Sequence, residues 1–550
     1  MQISWKTIGS KVAIIALVFA IIEIADAAPP EVKDTVPAKT KEEKKLSKTS
    51  AKPIIAKPLM LVKALSRLID VEILKKLKEE KVNPSAKSTD SEFHRRAYLD
   101  IIGRIPTSDE TKAFLENTVA NKREKLIDDL LANDGFGKHM ADIWQALLLP
   151  KISDNRRVNS EPLVVWLEKH FNANTGWDQV TKELLTSTGS QDENGSITYF
   201  VSNNSVDKIT DSVTKLFLGV QLQCAQCHDH PFVEWKQKDY WGVAAFFMKV
   251  QAAPPRNKDM SSPTVTEGKV INKKKNNLPE AAKFVNAKFL ASEEPKLNNE
   301  EPFRPVLANW LTSKSNPFFS NAMANRLWAQ YFGKGLVDPL DDMHDGNPAT
   351  HPELLASLAS QFSASNFDIK FFIRAICNSE TYQRSSKPNA SNKETNIALL
   401  SHMPIKNMSP EQLFDSLTIV LGSPSRGNQK QPANKPQKNQ PKGARAQFVT
   451  FFQAEEGASA LSYETGIPQV LRLMNSPQMN AEAGVFRIID KTADAKTSIE
   501  KIYLSVLNRK PTDEELARMV NFLAKASDQK KGFADMLWVL LNTSEFTLNH

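Results

Sequence analysis

The sequence predicts a mostly α, multi-helical protein, with two packed helical regions and disordered basic linkers. Three observations carry that expectation. Apolar residues recur at helical spacing, as in Leu59, Val62, Leu65, Leu68 and Ile69, and again in Val213, Leu216, Phe217 and Val220. Alternating patterns are scarce, and "SITYFVS" (Ser196 to Ser202) is the best strand candidate. The third observation is a weak internal repeat. "YLDIIGRIPTSDE" (Tyr98 to Glu110) and "YLSVLNRKPTDEE" (Tyr503 to Glu515) share an apolar helix end, then Arg-x-Pro-Thr-x-x-Glu. That pattern reads as a helix stop followed by a new helix, with Thr107 or Thr512 as N-cap and Glu110 or Glu515 completing a capping box. "AICNSETY" and "LLNTSEF" also run parallel, with Cys377 in the place of Leu541, which gives Cys377 a packing role.

The start of the chain reads as an export leader. Lys6 and Lys11 precede an apolar run from Val12 to Ile22, and Ala25-Asp26-Ala27 supplies a small-x-small cleavage site. The run is short for a membrane span and is followed by Glu23, so residues 1–27 are expected to be removed, an uncleaved anchor being the alternative. No transmembrane helix is expected in the mature chain, which would act in the periplasm or outside the cell.

The formal net charge of +8 is unevenly spread. Residues 28–57 carry eight Lys against four acids, and 423–447 carry six basic residues and no acid. Together they exceed the whole balance. Both are rich in polar residues and poor in apolar ones, which predicts a solvated tether (28–57) and a disordered loop (422–447). No basic groove interleaved with aromatics is visible, which argues against nucleic acid as a partner. A Pro-, Lys- and Asn-rich stretch, 252–301, is expected to link a first helical region (58–251) to a second (302–550).

"CAQCHDHPF" (Cys224 to Phe232) holds two of the three cysteines and two of the nine histidines. Cys-x-x-Cys-His at Cys224, Cys227 and His228 is the spacing of c-type haem attachment: two thiols on one face of a turn, and an imidazole that can become the proximal iron ligand. The alternatives are zinc, with Cys224, Cys227, His228 and His230 supplemented by His344 or His351, and a local disulfide. The aromatic residues that follow, from Phe232 through Trp235, Tyr240, Trp241, Phe246 and Phe247, either wall a flat cofactor or form helix core.

At this point the residues resemble a known family. "FHRRAYLDIIGRIPTSDETKAFL", "KLIDDLLANDGFGKHMADIW" and "LFLGVQLQCAQCHDHPFVEWKQKDYWGVAAFF" look like the planctomycete cytochrome-type domain of unknown function fifteen-forty-nine. "RPVLANWLTSKSNPFFSNAMANRLWAQYFGKGLVDPLDDM", "HPELLASLASQF" and "LNRKPTDEEL" resemble its usual partner, fifteen-fifty-three. The resemblance implies an exported protein whose cytochrome label rests on the motif at Cys224, Cys227 and His228. His351 matches the family pattern and is the candidate for the sixth iron ligand, or else the N-cap of the helix opened by Pro352. Met343 is the alternative ligand, although relatives often read Phe-Gly where this chain has Met343-His344.

The expected function is therefore redox or electron transfer through one covalent haem, with an unidentified redox partner. A cofactor-free envelope protein is one alternative. The other is an enzyme acting on extracellular polymers, with Asp341, Asp342, Asp345, His351 and Glu353 as candidate groups.

Overall fold

The computed structural model describes residues 57–150, 159–231, 233–253, 262–268, 285–422, 443–452, 482–490 and 492–550, with Ile54, Leu471, Met474 and Asn475. The expected leader, most of the tether and most of the basic stretch 422–447 lie outside the described residues. Among the described residues, no helix is long and apolar enough to cross a membrane.

The first helix, α1 (Val62–Glu79), buries Leu65, Ile69, Ile73 and Leu77 as one stripe and ends with Lys76 and Lys78, which suit the negative end of its dipole. α2 (Asp90–Ile102) is N-capped by Thr89 and stopped by Gly103 in the left-handed conformation. Then come α3 (Ser108–Glu116), α4 (Lys122–Ala132), α5 (Gly135–Leu148), α6 (Glu161–Asn172) and α7 (Trp177–Thr186). β1 (Gly189–Ser190), β2 (Val250–Ala253) and β3 (Thr264–Glu267) form a small antiparallel sheet in the order β1-β3-β2. Gly189 stands opposite Val265, and Val250 opposite Glu267.

One expectation is corrected here. "SITYFVS" is not a strand: Ile197–Ser202 is a helix, α8, and all six of its residues are buried. A short segment enclosed on every side needs no polar face, so its apparent alternation carried no information about period. α9 (Val206–Val213) and α10 (Gln237–Ala244) complete the first region.

The stretch expected to be a linker contributes structure where it is described. Val265 of β3 is fully buried, and the ring of Phe289 stacks on both Phe246 and Trp310. Glu267 accepts hydrogen bonds from the backbone N–H groups of Phe303 and Arg304 and pairs with the buried Arg304 side chain at 2.8 Å.

The second region contains α11 (Arg304–Leu311), α12 (Phe319–Phe332), α13 (Pro352–Ala364) and α14 (Ile369–Cys377), in which Cys377 is fully buried. β4 (Lys406–Asn407) and α15 (Pro410–Leu421) follow. α16 (Ala444–Phe452) starts inside the stretch read as a basic loop, because Arg445 is a bridge rather than a solvated charge. Its guanidinium meets Asp142 at 2.6 Å and Asp415 at 3.0 Å. α17 (Ala495–Val506), α18 (Asp513–Lys525), α19 (Gln529–Leu541) and α20 (Ser544–Thr547) lead to β5 (Leu548–Asn549), which pairs with β4.

The two regions share a core. One apolar cluster runs from Leu65 through Trp241 and Trp328 to Met403, and a second joins Leu99 and Ile105 to the C-terminal helices. Two adjacent, fully buried arginines of α2 fasten the assembly. Arg96 donates to the carbonyls of Tyr382 (2.7 Å) and Arg384 (3.0 Å), while Arg95 donates to the carbonyl of Phe546 (2.6 Å) and to Asn508 Oδ1 (2.7 Å). Tyr382 and Phe546 occupy equivalent places in the parallel "AICNSETY" and "LLNTSEF" segments, so each arginine clasps one copy of the repeated turn.

Candidate functional site: a thiol, thiol, imidazole turn at the seam of two regions

α9 runs into a wide π turn, Thr214–Leu218, which closes at Gly219 in the left-handed conformation (φ 67°). A side chain there would be strained, and its Cβ would come 2.9 Å from Met343 Sδ. The Gly219 carbonyl accepts the Met343 N–H at 2.9 Å, and two residues on Gln221 donates to Asp341 Oδ1 at 2.8 Å. Residues 341–343 of the second region are thereby held against the segment that enters the motif.

The motif is a single 3₁₀ turn, Gln223–Gln226. Three residues per turn place Cys224 and Cys227 on the same side. Leu222 and Ala225, both fully buried, anchor the opposite side, and both cysteines are exposed free thiols. The carbonyls of the turn are fixed from α10: Trp241 Nε1 donates to the Gln226 carbonyl at 3.0 Å, and Gln237 Nε2 donates to the carbonyls of Gln226 and Cys227, each at 3.1 Å. Trp235, Tyr240, Trp241, Phe246 and Phe247 are all buried, so these aromatics form the core under the turn. Phe232 lies outside the described residues.

His228 is exposed beside the thiols, with Nδ1 2.8 Å from the Asp229 carbonyl. A carbonyl can only accept, so Nδ1 carries the proton and the lone pair falls on Nε2. His230 is held differently: its Nδ1 accepts the Val233 N–H at 3.2 Å. Partial burial keeps His230 below the usual histidine range, with Asp342 raising it and His344 and His228 lowering it.

A half-buried acid, Asp211, lies against Tyr240 of α10. Burial pushes the Asp211 carboxyl up to about 6 against the pull of nearby Lys215, with Asp207 adding to the rise. Burial likewise raises the Tyr240 phenol, with Asp211 and Asp207 as the next contributors.

The structure brings Cys224, Cys227 and His228 together, with His230, Asp342 and His344 as electrostatic neighbours. Of the candidate catalytic groups, Asp341, Asp342 and Glu353 each have partners of their own. Asp341 is engaged by Gln221, and Asp342 pairs with His344 at 3.4 Å. Glu353 pairs with Lys75 on α1 at 3.0 Å. His351 is buried at the N-cap of α13, ahead of Pro352, but its side chain does not cap the helix. Its Nδ1 lies 3.0 Å from Thr350 Oγ1, its Nε2 is sealed without a partner, and the charges that act on it are Lys76 and Glu79. Among the described residues, no group of three or more His, Cys, Asp or Glu is placed to hold a metal ion.

Sequence reasoning missed Gly219, Gln221 and Gln237, which shape the motif, and read Trp241 as wall or core without its hydrogen bond to the turn. Gly219 alone was legible, as a glycine at the end of a run of helical apolar spacing, between Leu218 and Val220.

The fold and this turn define a class: helical proteins with an exposed Cys-x-x-Cys-His turn at the seam of two regions. Residues 68–252 match the PSCyt2 family model, described as a protein of unknown function (DUF1549), and residues 303–523 match PSD1, a protein of unknown function (DUF1553). The chain belongs to the proteins that carry these two domains in this order. No curated protein and no solved structure matches it.

Proposed function

We propose that this chain is an exported c-type cytochrome-like protein that transfers electrons through one haem. Cys224 and Cys227 would hold the group by thioether bonds, and His228 would be its proximal ligand. One observation carries the reading: two free thiols and an imidazole share the exposed face of a 3₁₀ turn, with His228 Nδ1 on a carbonyl and Nε2 available. An axial histidine takes that arrangement, since the carbonyl fixes the tautomer and ring orientation and strengthens Nε2 as a donor. Haem, when bound, supplies the one-electron couple. The chain's own part is to hold the turn: Trp241 and Gln237 lock its carbonyls, and Leu222 and Ala225 anchor it. A porphyrin brings its own nitrogens, so the protein needs no cluster of ligands. Zinc would need four from the protein and is the weaker fit. His351, with Nε2 sealed against α1, is not included in this reading.

Export is part of the same proposal, because thioether attachment is completed outside the bacterial cytoplasm. It rests on the leader pattern of residues 1–27, and native protein should begin near Ala28.

The test is expression with a c-type maturation system. The product should be red and gain the mass of one haem, retained after denaturation, and Cys224→Ala with Cys227→Ala should abolish both. Colourless protein from maturation-competent cells, with its thiols oxidised or bound to zinc, would overturn the reading.

A further inference from the structure

Away from the cysteine turn, a cleft of about 550 Å³ opens where three parts of the chain meet. α2 and α5 contribute Asp100 and His139, α12 contributes Gln330 and Phe332, and the β4–β5 pair contributes Lys406 and Asn549. Its volume falls in the range of small-molecule sites.

The charges at this junction are already satisfied. Lys406 Nζ spends its three hydrogens on Asp100 Oδ1 (2.6 Å), the Tyr331 carbonyl (2.8 Å) and the Gln330 carbonyl (3.1 Å). Asp100 also accepts from Asn549 Nδ2 at 2.7 Å and from the Tyr382 hydroxyl at 2.9 Å. Lys334 and Asp338, at the edge, pair with each other at 3.3 Å. A charged ligand would find no free counter-ion.

What remains unpaired is neutral. His139 is only 6% exposed, yet among the described residues no group bonds either ring nitrogen, and neither nitrogen is sealed from solvent. Burial holds its pKa down to about 4, so the ring offers one donor and one acceptor. Asn549 turns its amide nitrogen to Asp100, and its Oδ1 is sealed from solvent and so closed to a ligand. The rest of the lining mixes polar Gln330, Asn407, Ser409 and Gln412 with apolar residues, and Ile397 and Ile405, 44% and 54% exposed, stand at the cleft.

We infer that this cleft is a binding site for a small, neutral, hydroxylated molecule of the size and chemistry of a monosaccharide. A sugar ring pairs an apolar face, suited to Ile143 and Ile405, with hydroxyls that both donate and accept, as His139 requires and as the amides of Gln330 and Asn407 in the lining can match. The inference does not depend on the haem proposal.

The experiment is saturation-transfer NMR on the full chain, using glucose, galactose and fucose as probes and glucuronate and an alkylammonium ion as charged controls. At least one neutral sugar should give a saturable signal that is lost in His139→Phe and in Ile405→Trp, while the charged controls give none. His139→Phe gives up no hydrogen bond, and Ile405→Trp blocks the cleft from an exposed position, so both variants should keep the wild-type melting temperature. The inference is overturned if none of the neutral sugars binds saturably. It is equally overturned if the signal survives in both variants, or if His139→Phe melts markedly lower and the ring is thereby structural.

Discussion

Asp100 joins three distant parts of the chain through one carboxylate. Only 4% exposed, it ties Lys406, Asn549 and Tyr382 to α2 across more than two hundred residues of sequence. Asp100→Ala should therefore cost about 3–5 kcal/mol, because it strands a buried ammonium. Asp100→Leu combined with Lys406→Met should recover most of that loss, as read by urea unfolding; a double variant no better than the single would show that the pair itself stabilises. Asp211 is expected to act in the opposite sense. Its folded pKa of about 6 lies above the ordinary 3.8, so the unfolded state ionises first and stability falls as pH rises from about 4 to about 6. Asp211→Asn should remove that decline and stabilise the protein at pH 8 more than at pH 4. Equal melting temperatures of the two proteins at both pH values would contradict it.

At the scale of elements, the two copies of Arg-x-Pro-Thr-x-x-Glu fold alike. Thr107 and Glu110 form a capping box at α3, and Thr512 and Glu515 form another at α18. Each glutamate is gripped by both terminal nitrogens of its arginine, Arg104 at 2.9 and 2.9 Å and Arg509 at 2.7 and 2.8 Å. Each arginine also lies over a repeat tyrosine, Tyr98 at 5.2 Å and Tyr503 at 5.6 Å. Thr107→Ala and Thr512→Ala should each cost about 1 kcal/mol. Burial alone would raise the Glu110 pKa, but the bonds from Arg104 and Thr107 hold it down to about 2. Its contribution is thus present above about pH 4.5 and lost as pH falls toward 2. Glu110→Gln should flatten that part of the acid unfolding curve, and an unchanged curve would show the pair to be inert.

For the whole molecule, the shared core predicts one cooperative unit. α1 packs on α13 and α14, Ser66 Oγ bonds the Ala375 carbonyl at 2.8 Å, and Arg96 bonds the Tyr382 carbonyl. Residues 58–251 made alone would expose these apolar faces and leave Arg95 and Arg96 without their carbonyls. They should show no cooperative thermal transition by calorimetry, and co-expression with 302–550 should restore one. Independent cooperative folding of 58–251 would refute a shared core.

Much of this was legible in the residues themselves. Helical period, the capping boxes, the repeat and the spacing of Cys224, Cys227 and His228 are local properties, set within one or two turns, so the sequence determined them. Long-range packing decided the rest. It made a helix of Ile197–Ser202, turned Arg445 from a solvated charge into a bridge, and set Met343 against Gly219 while placing His351 beside α1. Those outcomes depend on which apolar faces exclude water together, and no local pattern encodes the partner of a face.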